Sequence, residues 1–195
     1  MRIELWLKIT YTVFVCSLIP IYLKQYGPAN FLWFSDIALI VLVPALWLES
    51  KILLSAMAVS VVLLEVIWSI DFLTRLVTGK NLIGLSNYMF NQSIALFVRR
   101  LSLFHVVLPP LLLWSVYRLG YDSRALLVQT LLAWIVLIVS YLFTNPRDNI
   151  NWVHGFGDQP HTRMSGVVYL LLLMLGFPLL VYLPSHVLLK RLFGD

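Results

Sequence analysis

Long apolar stretches alternate with short polar ones along the whole chain. Most of the apolar stretches reach roughly 20 residues, the length at which a helix crosses a bilayer. Glycine, asparagine and proline are concentrated in the polar stretches, as is typical of turns. The pattern predicts an all-α, polytopic membrane protein, a bundle of about six transmembrane helices with proline kinks. The predicted helices are at about 5–23, 31–48, 52–73, 93–117, 124–144 and 164–188.

The composition agrees with a chain that lies almost wholly in a membrane. Of the 195 residues, 61% are hydrophobic and 12% are charged, whereas soluble domains are nearer ~45–50% and ~25%. The predicted helices leave no room for a soluble module, so 1–195 is expected to be a single transmembrane domain. The net charge of +5 forms no basic stripe, which argues against nucleic-acid binding. Cys16 is the one cysteine, so no intrachain disulfide is possible.

Six crossings would place both termini on the same side of the membrane. Six lysine or arginine residues flank the predicted helices on that side and five flank them on the other side. Arg99 and Arg100 are not included in this count. Cytoplasmic flanks usually carry the excess of positive charge. We therefore expect a multi-pass protein of the cell (inner) membrane with both termini in the cytoplasm. The first apolar segment has no small-residue cleavage site and is interpreted as a retained helix.

Several ionisable residues interrupt the apolar segments. Such groups are costly in hydrocarbon, and they usually face the bundle interior or a wet cavity and have partners. Alternation of the helices brings them, together with the polar segment 145–163, to one side of the membrane. Carboxylates there are natural partners for the arginines, and Asp71 could pair with Arg75 one helical turn away. The sequence therefore predicts a one-sided polar cluster of Asp36, Asp71, Arg75, Arg99, Arg100, His105 and segment 145–163, which includes Asn151 and His154. Glu65, deeper in its helix, is a further candidate partner for Arg99 or Arg100.

The predicted fourth helix has the most specific local chemistry. Pro109 and Pro110 deprive the carbonyls of His105 and Val106 of their helical donors, which predicts a kink beside the imidazole. Ser102 is three residues before His105 and shares its helix face. One interpretation is a catalytic or binding site on a bent helix. The other is a kinked packing helix whose histidine is a satisfied core residue and whose arginines reach the lipid headgroups.

Lipid hydrolysis or acyl transfer is the first functional hypothesis. His105 would be the general base and Asp36 the carboxylate that orients it, with Ser35, Ser102 or water as the nucleophile. Arg99 and Arg100 would hold a phosphate or carboxylate group of the substrate. Glu65, Asp71, Asn151 and His154 complete the predicted substrate-binding set. We expect no cofactor and no metal, because His105, His154, His161 and Asp36 lack the usual zinc-ligand spacings.

Two other classes of function are also consistent with the sequence. A small-solute or proton carrier would use the proline-broken helices and Glu65 as a midplane acid. A non-catalytic subunit or assembly factor would use the polar cluster to hold the bundle together and segment 145–163 to bind a partner. The expected partners are membrane lipids, with a second copy of the chain or another membrane protein as alternatives.

Two short segments resemble a known family. Phe31-Leu32-Trp33-Phe34-Ser35-Asp36 and His105-Val106-Val107-Leu108-Pro109 look like parts of the androgen-induced-gene family of multi-helix membrane lipid hydrolases. Its members cleave fatty-acid esters of hydroxy fatty acids with a threonine nucleophile and a histidine. The resemblance implies that His105 is the catalytic histidine. The family's threonine position holds Trp33 here, which cannot be a nucleophile, and Ser35 lies two positions further on, on another face.

Overall fold

The computed structural model describes residues 3–157 and 164–194. Within these ranges the fold is all-α, as predicted, and no strand is present. Short 3₁₀ turns at Pro28–Leu32, Asn87–Phe90 and Ile150–Trp152 lie between the longer helices, and a π-helical segment occupies Phe177–Tyr182. The α-helices of these ranges are α1 (Leu5–Tyr26), α2 (Phe34–Trp47), α3 (Lys51–Thr78), α4 (Leu96–Leu101), α5 (Phe104–Leu119), α6 (Ala125–Phe143), α7 (Gly166–Gly176) and α8 (Leu183–Phe193).

The protein is a multi-pass membrane protein. Five helical stretches of the described residues are long and apolar enough to cross a bilayer: Leu5–Tyr26, Lys51–Thr78, Leu96–Leu119, Ala125–Phe143 and Gly166–Phe193. The apolar helix α2 is shorter than predicted, with 14 residues. At ~1.5 Å per residue it spans about 21 Å, against a hydrocarbon core of ~30 Å. It is shorter because the preceding residues form a 3₁₀ turn, which Pro28 begins.

Helix α2 runs antiparallel beside α1. The indole Nε1 of Trp47 donates a hydrogen bond to Oγ1 of Thr12 over 2.9 Å, which joins the end of α2 to the first half of α1. Just beyond α2, Glu49 accepts from Nζ of Lys8 at 2.9 Å, and the side chain of Lys8 is only 2% exposed. The two helices are therefore aligned from this ion pair to the turn that connects them.

Both ends of the described chain lie at one end of the bundle. The backbone N–H of Ile3 donates to Oε1 of Glu49 at 3.2 Å, and the N–H of Tyr121 donates to the carbonyl of Phe193 at 3.0 Å. The N–H that follows Tyr121 donates to Oγ of Ser55, in the first turns of α3, at 2.9 Å. These contacts join the two chain ends through the start of α3. We call this the terminal end of the bundle.

Helix α3 is the centre of the bundle and packs against α2, α5, α6 and α8. Every residue from Leu54 to Val61 is buried, and four of them are alanine or serine. Small side chains let membrane helices approach closely, because van der Waals contact replaces the hydrophobic effect as the main force between helices in lipid. This packing holds the second half of α3, with Glu65 and Trp68, in a fixed position relative to α5.

The predicted fourth helix breaks at a different place from the one expected. It ends as α4 at Leu101 and resumes as α5 at Phe104, whereas Pro109 and Pro110 lie inside α5. The turn between α4 and α5 is closed by short-range bonds such as His105 N–H to Ser102 O at 3.2 Å. Both prolines are in the second turn of α5, so the carbonyls of His105 and Val106 still lose their helical donors.

Two other predicted boundaries also differ. Helix α3 continues to Thr78 rather than stopping at 73, and it ends where Gly79 adopts a left-handed conformation with φ of 72°, which glycine enters without steric cost. The predicted sixth helix continues to Phe193, and its middle is π-helical from Phe177. Pro178 lies in that π segment and lacks an N–H, so the regular bonding pattern is interrupted there.

Candidate functional site

A cavity of about 420 Å³ lies in the bundle at the end opposite the termini. Its size is within the range of small-molecule pockets, ~300–1,000 Å³. The cavity is bordered by the end of α1, the start of α2, the second half of α3, the 83–88 segment, the α4–α5 junction and the 151–157 segment. Among the predicted site residues, those that line it are Ser35, Asp36, Glu65, Ser102, His105 and Asn151.

Glu65 and His105 form a direct pair in the cavity wall. Oε2 of Glu65 lies 2.7 Å from Nδ1 of His105, and the two side chains are 6% and 13% exposed. Trp68 stacks on the imidazole with ring centroids 4.5 Å apart. Phe104 stacks on it as well, at 4.1 Å. The ring is therefore fixed by a hydrogen bond at one nitrogen and by two aromatic neighbours, which leaves Nε2 as its second functional atom.

Asp36 is the second carboxylate of the cavity and has a different environment. It lies in the first turn of α2 and is 4% exposed. Its Oδ1 atom is buried and has no hydrogen-bond partner among the described residues. A buried polar oxygen without a partner is unusual and calls for an explanation, such as a bound ligand or ion. Ser35, beside it in sequence, is half-buried and lines the same cavity.

Hydroxyl groups supply further hydrogen-bonding capacity. Ser102, at the end of α4, is buried, and its Oγ lies 2.6 Å from the hydroxyl of Tyr22. Either oxygen can be the donor of this bond. Burial raises the pKa of the Tyr88 hydroxyl well above its ordinary value. Tyr88 lines the cavity, and its hydroxyl stays protonated and able to donate.

Asp71 does not line the cavity and instead organises one of its walls. Its Oδ1 accepts from the N–H groups of Ile83 (2.7 Å) and Gly84 (3.0 Å). Its Oδ2 accepts from the N–H and the hydroxyl of Ser86, at 2.9 Å and 2.7 Å. The expected pairing with Arg75 is wrong, because the carboxylate is used by the loop. The guanidinium of Arg75 contacts Asn87 and lies over the ring of Phe90.

Asn151 connects the 145–157 segment to the start of α2. Its Oδ1 accepts from the N–H of Phe34 at 3.1 Å, and its Nδ2 donates to the carbonyl of Leu32 at 2.7 Å. Asn151 has a φ of 50°, and its neighbours Asn149 and Trp152 also have positive φ. Asparagine enters this left-handed region more readily than most residues, because its short polar side chain bonds locally, whereas for Trp152 the cost is about 1–2 kcal/mol. The two side-chain bonds of Asn151 position the first turn of α2.

Besides Asp71, three predicted substrate-binding residues are outside the cavity lining. Arg99 donates from Nη1 to the carbonyl of Met89 at 2.9 Å, and Arg100 is exposed. The expected pairing of these arginines with Asp36, Glu65 or Asp71 is wrong in the described residues, because Glu65 contacts His105 and Asp71 binds the 83–86 segment. His154 is half-buried, and its ring stacks on Tyr141 with centroids 5.2 Å apart.

Aromatic side chains form much of the cavity wall, and sequence reasoning did not assign them to the site. Trp33 and Trp152 meet edge to face at 5.8 Å, and Tyr22 and Tyr26 do so at 5.2 Å. Aromatic residues near helix ends are typical of the membrane interface as well, so their position in the sequence does not identify a cavity wall. The one sequence signal for the wall is Trp68, which lies three residues after Glu65 and therefore on the same helix face.

Within the described residues, no group of three or more His, Cys, Asp or Glu side chains is arranged to hold a metal ion. His161, one of the metal-ligand candidates in the sequence, lies outside the described residues. No protein-family model, curated protein or solved structure matches this chain.

Proposed function

We propose that the cavity is the active site of an intramembrane lipid hydrolase, in which His105 is the general base and Glu65 orients it. The observation that carries the proposal is the 2.7 Å contact between Glu65 and Nδ1 of His105 in the wall of a cavity. A base held by a carboxylate on its far nitrogen is the arrangement that general-base catalysis uses. The resemblance to androgen-induced-gene hydrolases supports the same role for His105.

Proton transfer would run through Nε2. An ionised Glu65 accepts the Nδ1 proton of His105, so the lone pair of the neutral ring is on Nε2. Nε2 takes a proton from the nucleophile as its oxygen bonds to the carbonyl carbon of the ester. The C–O bond to the alcohol then breaks, and the proton on Nε2 passes to the leaving oxygen. Tyr22 and Tyr88 line the cavity and are candidate hydroxyl donors for the carbonyl oxygen.

Three candidates for the nucleophile are available. Ser102 is paired with Tyr22, Ser35 lines the cavity near Asp36, and water is the third. A serine nucleophile would form an acyl-enzyme, which water then hydrolyses to release the fatty acid. The free serine would attack a lipid-like fluorophosphonate probe, displace fluoride and be labelled covalently. Loss of labelling in Ser35→Ala or in Ser102→Ala would identify the serine. Turnover without labelling, and unaffected by either substitution, would identify water.

The proposal is tested by ester turnover in a reconstituted bilayer. The purified protein is inserted into phosphatidylcholine vesicles with a fluorogenic oleate ester, and release of the fluorophore is followed. His105→Gln should lower the turnover rate by about 10²-fold or more, the usual contribution of a general base. The matched control is His186→Gln at the terminal end, where His186 contacts Tyr121. Equal loss in both variants, or no turnover by wild type on a panel of lipid esters, would overturn the proposal.

A second candidate function is a carrier for protons or small cations. The observation that favours it is Asp36, a buried carboxylate with an unpartnered oxygen in an apolar helix. Intramembrane acids of this kind occur in proton and ion pathways. Proton or sodium flux into vesicles that is lost in Asp36→Asn, together with no ester turnover, would favour this function over hydrolysis.

We also propose that the terminal end faces the cytoplasm of a cell membrane and that the cavity lies toward the opposite side. Lys190 and Arg191 are in the last turn of α8 and are exposed at the terminal end, where they suit an anionic cytoplasmic surface. Single cysteines at Lys190 and at Lys80, in a Cys16→Ser background, would be labelled in intact cells by a membrane-impermeant maleimide. Labelling at position 80 alone supports this orientation, and labelling at position 190 alone reverses it.

A further inference from the structure

The ionisable side chains that line the cavity are mostly acidic. Asp36 and Glu65 are carboxylates, and His105 is the only basic group beside them among the described lining residues, which include no lysine or arginine. Arg99 and Arg100, the expected anion binders, are directed elsewhere. A cavity with this charge disfavours a phosphate or carboxylate group and favours a cation, because like charges repel strongly where water is scarce.

Only one of the two carboxyl groups has a hydrogen-bond partner among the described residues. Glu65 contacts Nδ1 of His105 at 2.7 Å. Asp36 has no such partner, although it is 96% buried and its Oδ1 accepts no hydrogen bond from the described residues. Ionising a lone buried carboxyl group is expensive, and a cation that enters the cavity would offset that cost.

The walls around this carboxylate suit an organic cation better than a hydrated metal ion. Tyr22, Tyr26, Trp33 and Trp152 line the same cavity as Asp36. The faces of aromatic rings attract ammonium groups, and cages of such rings with a carboxylate are a recurrent way of binding them. The volume of about 420 Å³ leaves room for a substituted ammonium group and a short stretch of chain.

We propose that the cavity binds an organic ammonium group, with Asp36 as its counter-ion and Tyr22, Trp33 and Trp152 as its aromatic walls. The inference rests on the proposed function in one respect, because it assigns the ammonium group to the ester substrate. The substrate is then an ester of an amino alcohol with a fatty acid. Asp36 is a substrate-binding residue, whereas Glu65 orients the base.

Binding is tested separately from turnover with three probes of one shape. Choline is cationic, 3,3-dimethylbutan-1-ol is its neutral carbon analogue, and 3,3-dimethylbutanoate is a matching anion. Ethanolamine serves as a primary-amine probe. Saturation-transfer NMR and calorimetry on the protein in lipid nanodiscs should show saturable binding of choline or ethanolamine, weaker binding of the alcohol and none of the carboxylate. Equal binding of the charged and neutral probes, or preferential binding of the carboxylate, would overturn the proposal.

Asp36→Asn gives the second arm of the test. The amide keeps the size of the side chain and removes the charge, so it should weaken choline binding by about tenfold or more while leaving the neutral alcohol unaffected. If Asp36→Asn does not fold, the comparison of the cationic, neutral and anionic probes on the wild-type protein still tests the proposal. The matched control is Glu4→Gln, at an exposed carboxylate at the terminal end, which should leave choline binding unchanged.

The outcomes separate this inference from the proposed function. Turnover is compared for butyrylcholine and for its neutral analogue, 3,3-dimethylbutyl butyrate. Choline binding without turnover of any ester would support the ammonium site and contradict hydrolysis. Faster turnover of the neutral ester without choline binding would support hydrolysis and contradict the ammonium site. Preferential turnover of butyrylcholine that Asp36→Asn abolishes would support both.

Discussion

The carboxylate of Glu65 lies 2.7 Å from Nδ1 of His105, although 40 residues separate them in the chain. The contact joins the second half of α3 to the first turn of α5. It gives a histidine in a membrane protein a defined hydrogen-bond partner, a fixed ring plane and one remaining nitrogen. Under the proposed function, this contact preorganises the base for catalysis.

Replacing Glu65 by glutamine separates the two roles of this contact. The amide oxygen still accepts the hydrogen bond from Nδ1–H. We therefore expect the free energy of unfolding in detergent to change by less than about 1 kcal/mol. The negative charge that stabilises the protonated ring is lost, so ester turnover should fall by about 10²-fold or more. Glu4→Gln, at an exposed residue, is the control. A large loss of stability with unchanged turnover would show that the contact is structural.

Asp71→Asn should loosen the wall that the carboxylate organises. An amide nitrogen cannot accept a hydrogen bond, so some of the four donors from 83–86 lose their acceptor. We expect a loss of about 2–3 kcal/mol in the free energy of unfolding, the usual result of leaving buried donors unpaired. Hydrogen exchange at Ile83, Gly84 and Ser86 should become faster. Asp148→Asn is the matched control, and equal exchange in the two variants would contradict the assignment.

Asn151 contributes both a backbone conformation and two side-chain hydrogen bonds, and two substitutions separate them. Asn151→Gly removes the bonds to Leu32 and Phe34 but tolerates the φ of 50°. Asn151→Ala removes the same bonds and adds the left-handed strain. We therefore expect alanine to be less stable than glycine by about 1 kcal/mol, as measured by melting in detergent. A glycine variant that is the less stable of the two would contradict this account.

Arg100→Gln should change the free energy of unfolding by no more than about 0.5 kcal/mol, because the side chain is exposed and outside the cavity. Arg99→Gln should instead loosen the 3₁₀ turn at Asn87–Phe90, since it removes the bond to the carbonyl of Met89. Thermal melting, ester turnover and choline binding are compared for both variants. If Arg100→Gln abolished turnover, anion binding by the arginines would again become the better explanation.

The sequence was sufficient to predict the all-α membrane fold and to select Glu65 and His105 as residues of interest. Both predictions rest on the free-energy cost of placing a polar side chain in an apolar membrane segment. This cost can be recognised from the sequence without knowing which residues surround the side chain. The pairing of Glu65 with His105 could not be predicted, since it depends on how α3 and α5 rotate against each other. Asp71 was selected by the same cost argument, but its partners come from a loop that has no periodic pattern.

The position of the break in the fourth helix shows a second limit. Pro109 and Pro110 give a strong local signal for a kink, yet the chain breaks before Phe104. Both prolines lie inside α5, so their local effect does not determine where the helix begins, and tertiary packing overrides such local signals. The aromatic walls were missed for a related reason, because an aromatic residue near a helix end has the same pattern whether it faces lipid or a cavity.

Trp33, Trp68 and Trp152 are three of the chain's seven tryptophans, and all three border the cavity. Indole emission depends on the polarity around the ring and is quenched by nearby groups. A ligand that displaces water from these rings therefore changes the wavelength and the intensity of the intrinsic tryptophan fluorescence. Because these tryptophans border the cavity, binding and release of a ligand can be followed in time by intrinsic fluorescence, without an attached dye.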